Sequence, residues 1–248
     1  MKLPATSFLP LLLLIATGCN ALPPRRIEAI SPGSDTKQTA VYLLRGWRGL
    51  WSAGIDALAA GLRQQDINAS VYREEQWKPL ADQIAADFAQ GGRRGPLVLI
   101  GFSYGADNAV EMARALEVHG IPVDLLITID PVTAAPVPRN VRECVNFYQS
   151  NGFWDIFPWL RGTPLKRDPP GGGKLVNYDL RKDRTDLLEP GTSHATIAGN
   201  ANLHRAIIKL VENLIPKQGS QSARCNTTAR PPFTSVPSIT IGVSEIWS

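Results

Sequence analysis

The sequence predicts an α/β fold, a three-layer sandwich in which a mostly parallel central sheet of about six strands carries helices on both faces. Two observations predict it. Short apolar runs alternate with stretches of helical periodicity through the middle of the chain, which is the order of a parallel sheet with crossover helices. The runs are also apolar at consecutive positions, as strands buried on both faces require, where a half-exposed strand would alternate.

The elements follow in order. The run 40–44 is a strand, and Ile55, Leu58, Ala59 and Leu62 then mark one face of a helix. A strand at 69–72 precedes a helix with Leu80, Ile84 and Phe88 on its apolar face. A strand at 97–100 feeds a helix from Tyr104 to Val118, and another strand occupies 123–129. Two further strands are expected at 144–148 and 175–178, separated by an irregular stretch. The final helix carries Leu203, Ile207, Leu210 and Leu214 at helical spacing.

Both ends differ from this middle. Lys2 is followed by the apolar stretch 9–15, interrupted by Pro10, and by the small residues Ala16, Thr17 and Gly18, the pattern of a secretory signal. The stretch is shorter than the ~20 residues that span a bilayer. Ala16-Thr17-Gly18-Cys19 resembles the lipobox of bacterial lipoproteins, with Ala16 where that family usually has Leu. The resemblance implies a lipid on Cys19 and a place in the periplasm or cell envelope; the alternative is an ordinary cleavage near Ala21. Residues 1–18 are thus a signal, 19–38 a Pro-rich linker, 39–216 the folded domain and 217–248 a flexible tail rich in Pro, Ser and Thr, in which 239–243 could add an edge strand.

Of the 248 residues, 44% are hydrophobic and 19% charged, ordinary globular usage. A net charge of +4, with basic residues in pairs such as Arg25-Arg26 and Arg93-Arg94, lacks the long basic run and interleaved aromatics of a nucleic-acid surface, so no nucleic-acid partner is expected. Cys144 and Cys225 remain after Cys19. Their spacing fits no zinc site, and whether they pair stays open.

The chemistry centres on Gly101-Phe102-Ser103-Tyr104-Gly105, which follows an apolar strand and opens an amphipathic helix with Ala109, Met112, Ala113 and Leu116 on one side. That strand-turn-helix context puts Ser103 on a sharp turn above the sheet edge, where the N–H of Tyr104 can stabilise an oxyanion. Here the chain resembles the α/β-hydrolase superfamily, a likeness that implies a serine nucleophile with a histidine base and a carboxylate. His194 is the expected base: of the 3 histidines, His119 ends the helix that Ser103 begins, some 20 Å away at 1.5 Å per residue, and His204 lies inside the last helix. Asp130 is the expected acid, because it ends the strand after the nucleophile helix and so stands on the same rim; Ile129-Asp130-Pro131-Val132 resembles the acid position of pancreatic-type lipases and thioesterase domains. Asp155, Asp179 and Asp183 are the alternatives.

A second oxyanion donor is expected from Arg45-Gly46-Trp47-Arg48-Gly49 after the first strand, through the N–H of Trp47. The aromatic stretch 153–160 could line an acyl pocket or form a small lid. The expected activity is hydrolysis of a small-molecule acyl ester or thioester with no cofactor and no metal. The alternatives are an acyltransferase on the same residues, or a silent lipoprotein that uses the fold as a binding scaffold.

Overall fold

The computed structural model describes residues 39–92, 95–150, 162–168, 170 and 172–215. The expected signal, Cys19, the linker and the tail with Cys225 and 239–243 lie outside the described residues, as do Arg93, Arg94 and the stretch 153–160 with Asp155.

The elements are β1 (Ala40–Leu44), α1 (Ala53–Arg63), β2 (Asn68–Tyr72), α2 (Trp77–Ala89), β3 (Leu97–Phe102), α3 (Tyr104–Val118), β4 (Val123–Ile129), β5 (Val141–Tyr148), β6 (Lys174–Asp179), the short α4 (His194–Ile197) and α5 (Ala201–Glu212). The strands form a 6-stranded sheet in the order β2-β1-β3-β4-β5-β6. Every neighbouring pair is parallel. The chain moves outward from β1 to β2, then returns to place β3 on the other side of β1. The crevice above β1 and β3 is therefore a topological switch point, where ligands bind in open α/β sheets.

Continuous apolar strands are explained by two cores. Val41 and Leu43 point to one face of β1 and pack with Ile55, Leu58 and Leu62 of α1 and Leu203, Ile207 and Val211 of α5. Ala40, Tyr42 and Leu44 point the other way, into Leu80 and Ile84 of α2 and Met112 and Leu116 of α3. Each such Leu or Ile contributes roughly 1.5–3 kcal/mol on burial, so a strand dressed on both faces is anchored twice. This is the three-layer α/β sandwich that the sequence predicts.

The far half of the sheet is built differently. Thr128, Asn146 and Asn177 share one register across β4, β5 and β6. The Thr128 hydroxyl donates to Asn146 Oδ1 at 2.9 Å, Asn146 Nδ2 donates to Asn177 Oδ1 at 2.8 Å, and Asn177 pairs with the Leu165 backbone at 2.8 and 3.1 Å. A polar row thus ties a loop onto this face. Cys144 beside it on β5 is wholly buried, and burial pushes its thiol up to about 12.

Some boundaries differ from expectation. β5 begins at Val141 rather than 144, because the charges of Arg142 and Glu143 are paired with Asp124 and Lys174 at the strand's exposed end. Phe88, placed on the apolar face of α2, is 38% exposed at the helix end. His194 opens the helical turn α4, because Ser193 and Thr196 form a reciprocal capping box there.

Candidate active site

Ser103 sits where β3 turns into α3 with φ 56° and ψ −127°, a conformation that L side chains rarely adopt. Its two flanking glycines allow it. A Cβ on Gly101 would lie 2.2 Å from the Gly105 carbonyl oxygen, and one on Gly105 would lie 2.1 Å from that of Arg45, so the turn can close only without side chains at both positions. The Ser103 side chain caps no helix N–H, although Ser103 is the N-cap residue of α3. Its hydroxyl is left for another partner.

That partner is His194, whose Nε2 lies 2.9 Å from Ser103 Oγ. On the other side of the ring, His194 Nδ1 lies 3.2 Å from Asp130 Oδ2. A carboxylate can only accept, so Nδ1–H donates to Asp130 and Nε2 is left to accept the serine proton. All three residues are buried, at 6%, 5% and 1% exposure for Ser103, His194 and Asp130. The sheet explains their meeting. Phe102 and Ile129 are partners in the β3–β4 register, so the next residue on each strand, Ser103 and Asp130, stands at the same height. Ser103 N–H donates to the Ile129 carbonyl at 2.9 Å, and the Phe102 ring lies 5.3 Å from the imidazole centroid, under the base.

Asp130 is held as firmly as Ser103. It has φ 47° and its N–H continues the sheet to the Phe147 carbonyl at 2.8 Å. Gln149, just beyond β5, donates its backbone N–H to Oδ1 at 2.8 Å and its side-chain amide N–H to Oδ2 at 3.1 Å, while Arg181 donates to Gln149 Oε1 at 3.3 Å. Sequence reasoning missed Gln149. The rule that marked Asp130, a polar residue just past the carboxyl end of a strand, marks Gln149 equally.

Among the described residues, the alternative acids Asp179 and Asp183 are engaged elsewhere. Asp179 accepts from Ser150 and Arg181 and pairs with Lys182, and Asp183 accepts the Asp179 N–H at 2.9 Å. Asp107, in the first turn of α3, accepts from the N–H groups of Val132 and Thr133 at 2.9 Å each and from the Thr133 hydroxyl at 3.0 Å. It binds the loop after Asp130 to α3. Burial raises its carboxyl above the ordinary value, against the lowering effect of those donors.

His194 is mounted through Ala198 at the end of α4. His204 Nε2 donates to the Ala198 carbonyl at 2.7 Å. Gly54 of α1 comes so close that a Cβ there would lie 2.0 Å from the same oxygen. Of the remaining histidines, then, His204 braces the end of the turn that carries His194, and His119 caps the far end of α3.

The turn 46–52 carries Trp47, the residue expected to supply an oxyanion donor. Gly46 N–H donates to Ser52 Oγ at 3.0 Å, Ser52 Oγ donates to the Leu50 carbonyl at 3.0 Å, and Arg48 N–H donates to Glu74 Oε1. Between these tied groups, the N–H of Trp47 donates to no atom of the described residues, and neither does that of Tyr104 at the start of α3. Glu74 also joins the two donor-bearing elements, because its carbonyl accepts from Asn108 Nδ2 of α3 at 3.0 Å. Its second carboxyl oxygen is buried with no partner among the described residues, and burial raises its carboxyl above the ordinary value. Above Ser103 and His194 lies a cavity of about 180 Å³, walled by Trp47, Leu50, Trp51, Phe102 and Tyr104.

The family model of the thioesterase domain matches residues 52–142, a span that contains Ser103 and Asp130 and ends before His194. No curated protein matches. Among solved structures, the NocB thioesterase domain from the nocardicin cluster is 14% identical with a TM-score of 0.46, over 71% of this chain and 95% of that one. A candidate hydrolase of the α/β superfamily from Xanthomonas campestris pv. campestris is 16% identical with a TM-score of 0.42, over 72% and 100%. The thioesterase domain that cyclises the lipopeptide surfactin is 13% identical with a TM-score of 0.40, over 73% and 93%.

Proposed function

We propose that the chain is a serine hydrolase that cleaves a carboxylic ester or thioester through an acyl-enzyme on Ser103. The observation that carries this reading is the unbroken hydrogen-bonded line from the Ser103 hydroxyl through His194 to Asp130, set on a strained turn at the switch point of the sheet.

A serine hydroxyl is a poor nucleophile until a base takes its proton. His194 Nε2 accepts that proton as Ser103 Oγ bonds to the acyl carbon, and the charge that develops on the carbonyl oxygen is met by the N–H groups of Tyr104 and Trp47. The tetrahedral species collapses when the bond to the leaving alcohol or thiol breaks and His194 returns the proton to it. Water then attacks the acyl-enzyme by the same route in reverse, releasing the acid and restoring Ser103. Asp130 keeps the imidazole in the tautomer that each step needs. The match of 52–142 to a thioesterase domain agrees with this reaction class.

The test is a fluorophosphonate probe on the soluble domain. Wild type labels and Ser103→Ala does not. Absence of label on wild type, under conditions that label another serine hydrolase, sinks the proposal; equal labelling of the variant moves the nucleophile. The reading also takes the domain to be exported and held at the cell envelope by a lipid on Cys19, supported by the apolar stretch 9–15 and the residues before Cys19. Mass spectrometry of the mature N-terminus decides this: an acylated Cys19 agrees with it, and a free N-terminus near Ala21 does not.

A further inference from the structure

Of the six exposed large apolar side chains among the described residues, all but Phe88 and Val118 lie at one place. Trp47 is 55% exposed, Leu50 41%, Trp51 53% and Tyr104 37%, and all four border the cavity above Ser103. Single exposed apolar residues are commonplace, but a contiguous group at the mouth of a site marks a surface that another apolar body covers.

The turn that displays them is held open against its own preferences. Arg48, Gly49 and Trp51 have φ of 49°, 75° and 53°, and the two non-glycine residues among them are strained there. Ser52 pins one end of the turn by its bonds to Gly46 and Leu50, Glu74 pins the middle through Arg48 N–H, and the Arg45–Asp56 pair at 2.8 Å braces the start. The turn is therefore a fixed wall. Apart from Ser103 and His194, its cavity offers a substrate aromatic rings and the Leu50 side chain.

A part of the substrate must occupy that cavity, and the chemistry says which. The acyl group stays bonded to Ser103 through both halves of the reaction, whereas the leaving group must depart past His194, which protonates it. The walled cavity suits the part that stays. At roughly 30 Å³ for each small group, about 180 Å³ holds about six heavy atoms.

We infer that the turn 47–51 with the Tyr104 ring is the acyl-binding subsite, and that the enzyme prefers an unbranched apolar acyl group of about six carbons to acetyl. The inference rests on the serine-hydrolase reading and adds the substrate class to it. The experiment is a series of p-nitrophenyl esters from acetyl to decanoyl, read as kcat/KM on the soluble domain, beside alkyl acetates of increasing alcohol length. Each methylene withdrawn from water favours binding, and with the walls half exposed the hexanoyl ester should exceed the acetyl ester about tenfold. In the Leu50→Ala/Trp51→Ala variant that ratio falls to within about twofold of one, whereas Trp51→Phe keeps most of it. Both truncated side chains are half exposed, so the fold tolerates their loss, and an unchanged melting temperature checks this. A wild-type ratio near one, a ratio that the double variant leaves unmoved, or a variant effect that follows alcohol length instead of acyl length overturns the subsite. Labelling by fluorophosphonate separates the two readings: a labelled enzyme without chain-length preference loses only the subsite, and an unlabelled one loses both.

Discussion

The two walls of the site are built on opposite principles. On one side Ser103, His194, Asp130 and Gln149 form a line that is almost wholly buried, and each polar atom that serves the reaction has a stated partner. On the other, the turn 47–51 leaves two tryptophans half exposed and the Trp47 N–H without a partner among the described residues, yet its own backbone is strained and pinned. Chemistry needs charges at fixed geometry in a desolvated place, so one wall spends burial on polar groups. Recognition needs apolar area that water still touches before the ligand arrives, so the other wall keeps it open. Breaking each wall should have a different signature: loss in kcat on the buried side, and loss that depends on the acyl group or the oxyanion on the exposed side.

The largest effect is expected from Asp130→Asn. The amide cannot accept from both Gln149 donors and also from Nδ1–H, so the imidazole loses its tautomer, and kcat should drop about 10⁴-fold with KM within a few-fold. Asp179→Asn, which disturbs a carboxylate bound within its own turn, should leave kcat within about tenfold of wild type. The reverse outcome for the pair would relocate the acid.

Glu74→Ala tests the exposed wall. It frees Arg48 N–H and the strained turn, so the Trp47 N–H loses its fixed aim. Removing an oxyanion donor outright costs roughly 10²–10³ in kcat. Loosening one should cost about ten- to fiftyfold, again in kcat rather than KM. Glu74→Gln keeps an acceptor for Arg48 and should recover most of the rate. If Gln fares no better than Ala, the carboxyl does not act through that bond.

Gln149→Leu returns to the buried wall with a smaller effect. Asp130 keeps the backbone N–H of residue 149 and the histidine, and loses only the side-chain amide. A loss of about tenfold in kcat is expected, near 1.4 kcal/mol, the size of a hydrogen bond to a charged group. A rate equal to wild type would mean that the backbone bonds alone orient Asp130.

The difference between the walls also decides what could be read from the chain. Gly101 and Gly105 are written into a local motif, and Asp130 into the end of an apolar run, because the strands β1, β3 and β4 are apolar at consecutive positions. The alternation of strands and helices was therefore legible, as was the group Ser103, Asp130 and His194 that the structure brings together. The β5 start was not, since Arg142 and Glu143 look like a loop until Asp124 and Lys174 stand beside them. Nor were Glu74 and Gln149 as positioning residues: each acts on a backbone or carboxylate far along the chain, and only the folded sheet makes them neighbours. The exposure of Trp47 and Trp51 was equally hidden, because a tryptophan in a sequence gives no sign of which way a strained turn will point it.

The smallest effect concerns the mounting of the base and is read in stability. Burial holds His204 below its ordinary value of 6.5, against the raising effects of the Ala198 carbonyl and Glu189. A histidine with a depressed folded pKa contributes stability that is present above its unfolded value and is lost as pH falls through the folded one, because the unfolded chain takes up the proton first. Wild type should thus lose urea resistance across the acid range that begins as pH falls below about 6.5, with a slope from this group of at most ~1.4 kcal/mol per pH unit. His204→Gln can still donate to Ala198 but cannot titrate, so the wild-type and variant midpoints should differ more at one end of that range than at the other. Parallel midpoints across the range would show that His204 does not titrate within it. Because the same bond fixes the end of the helix that carries His194, a variant that loses the bond as well, His204→Leu, should lower kcat only several-fold. The loss is small because the α1 backbone at Gly54 also packs closely against the Ala198 carbonyl.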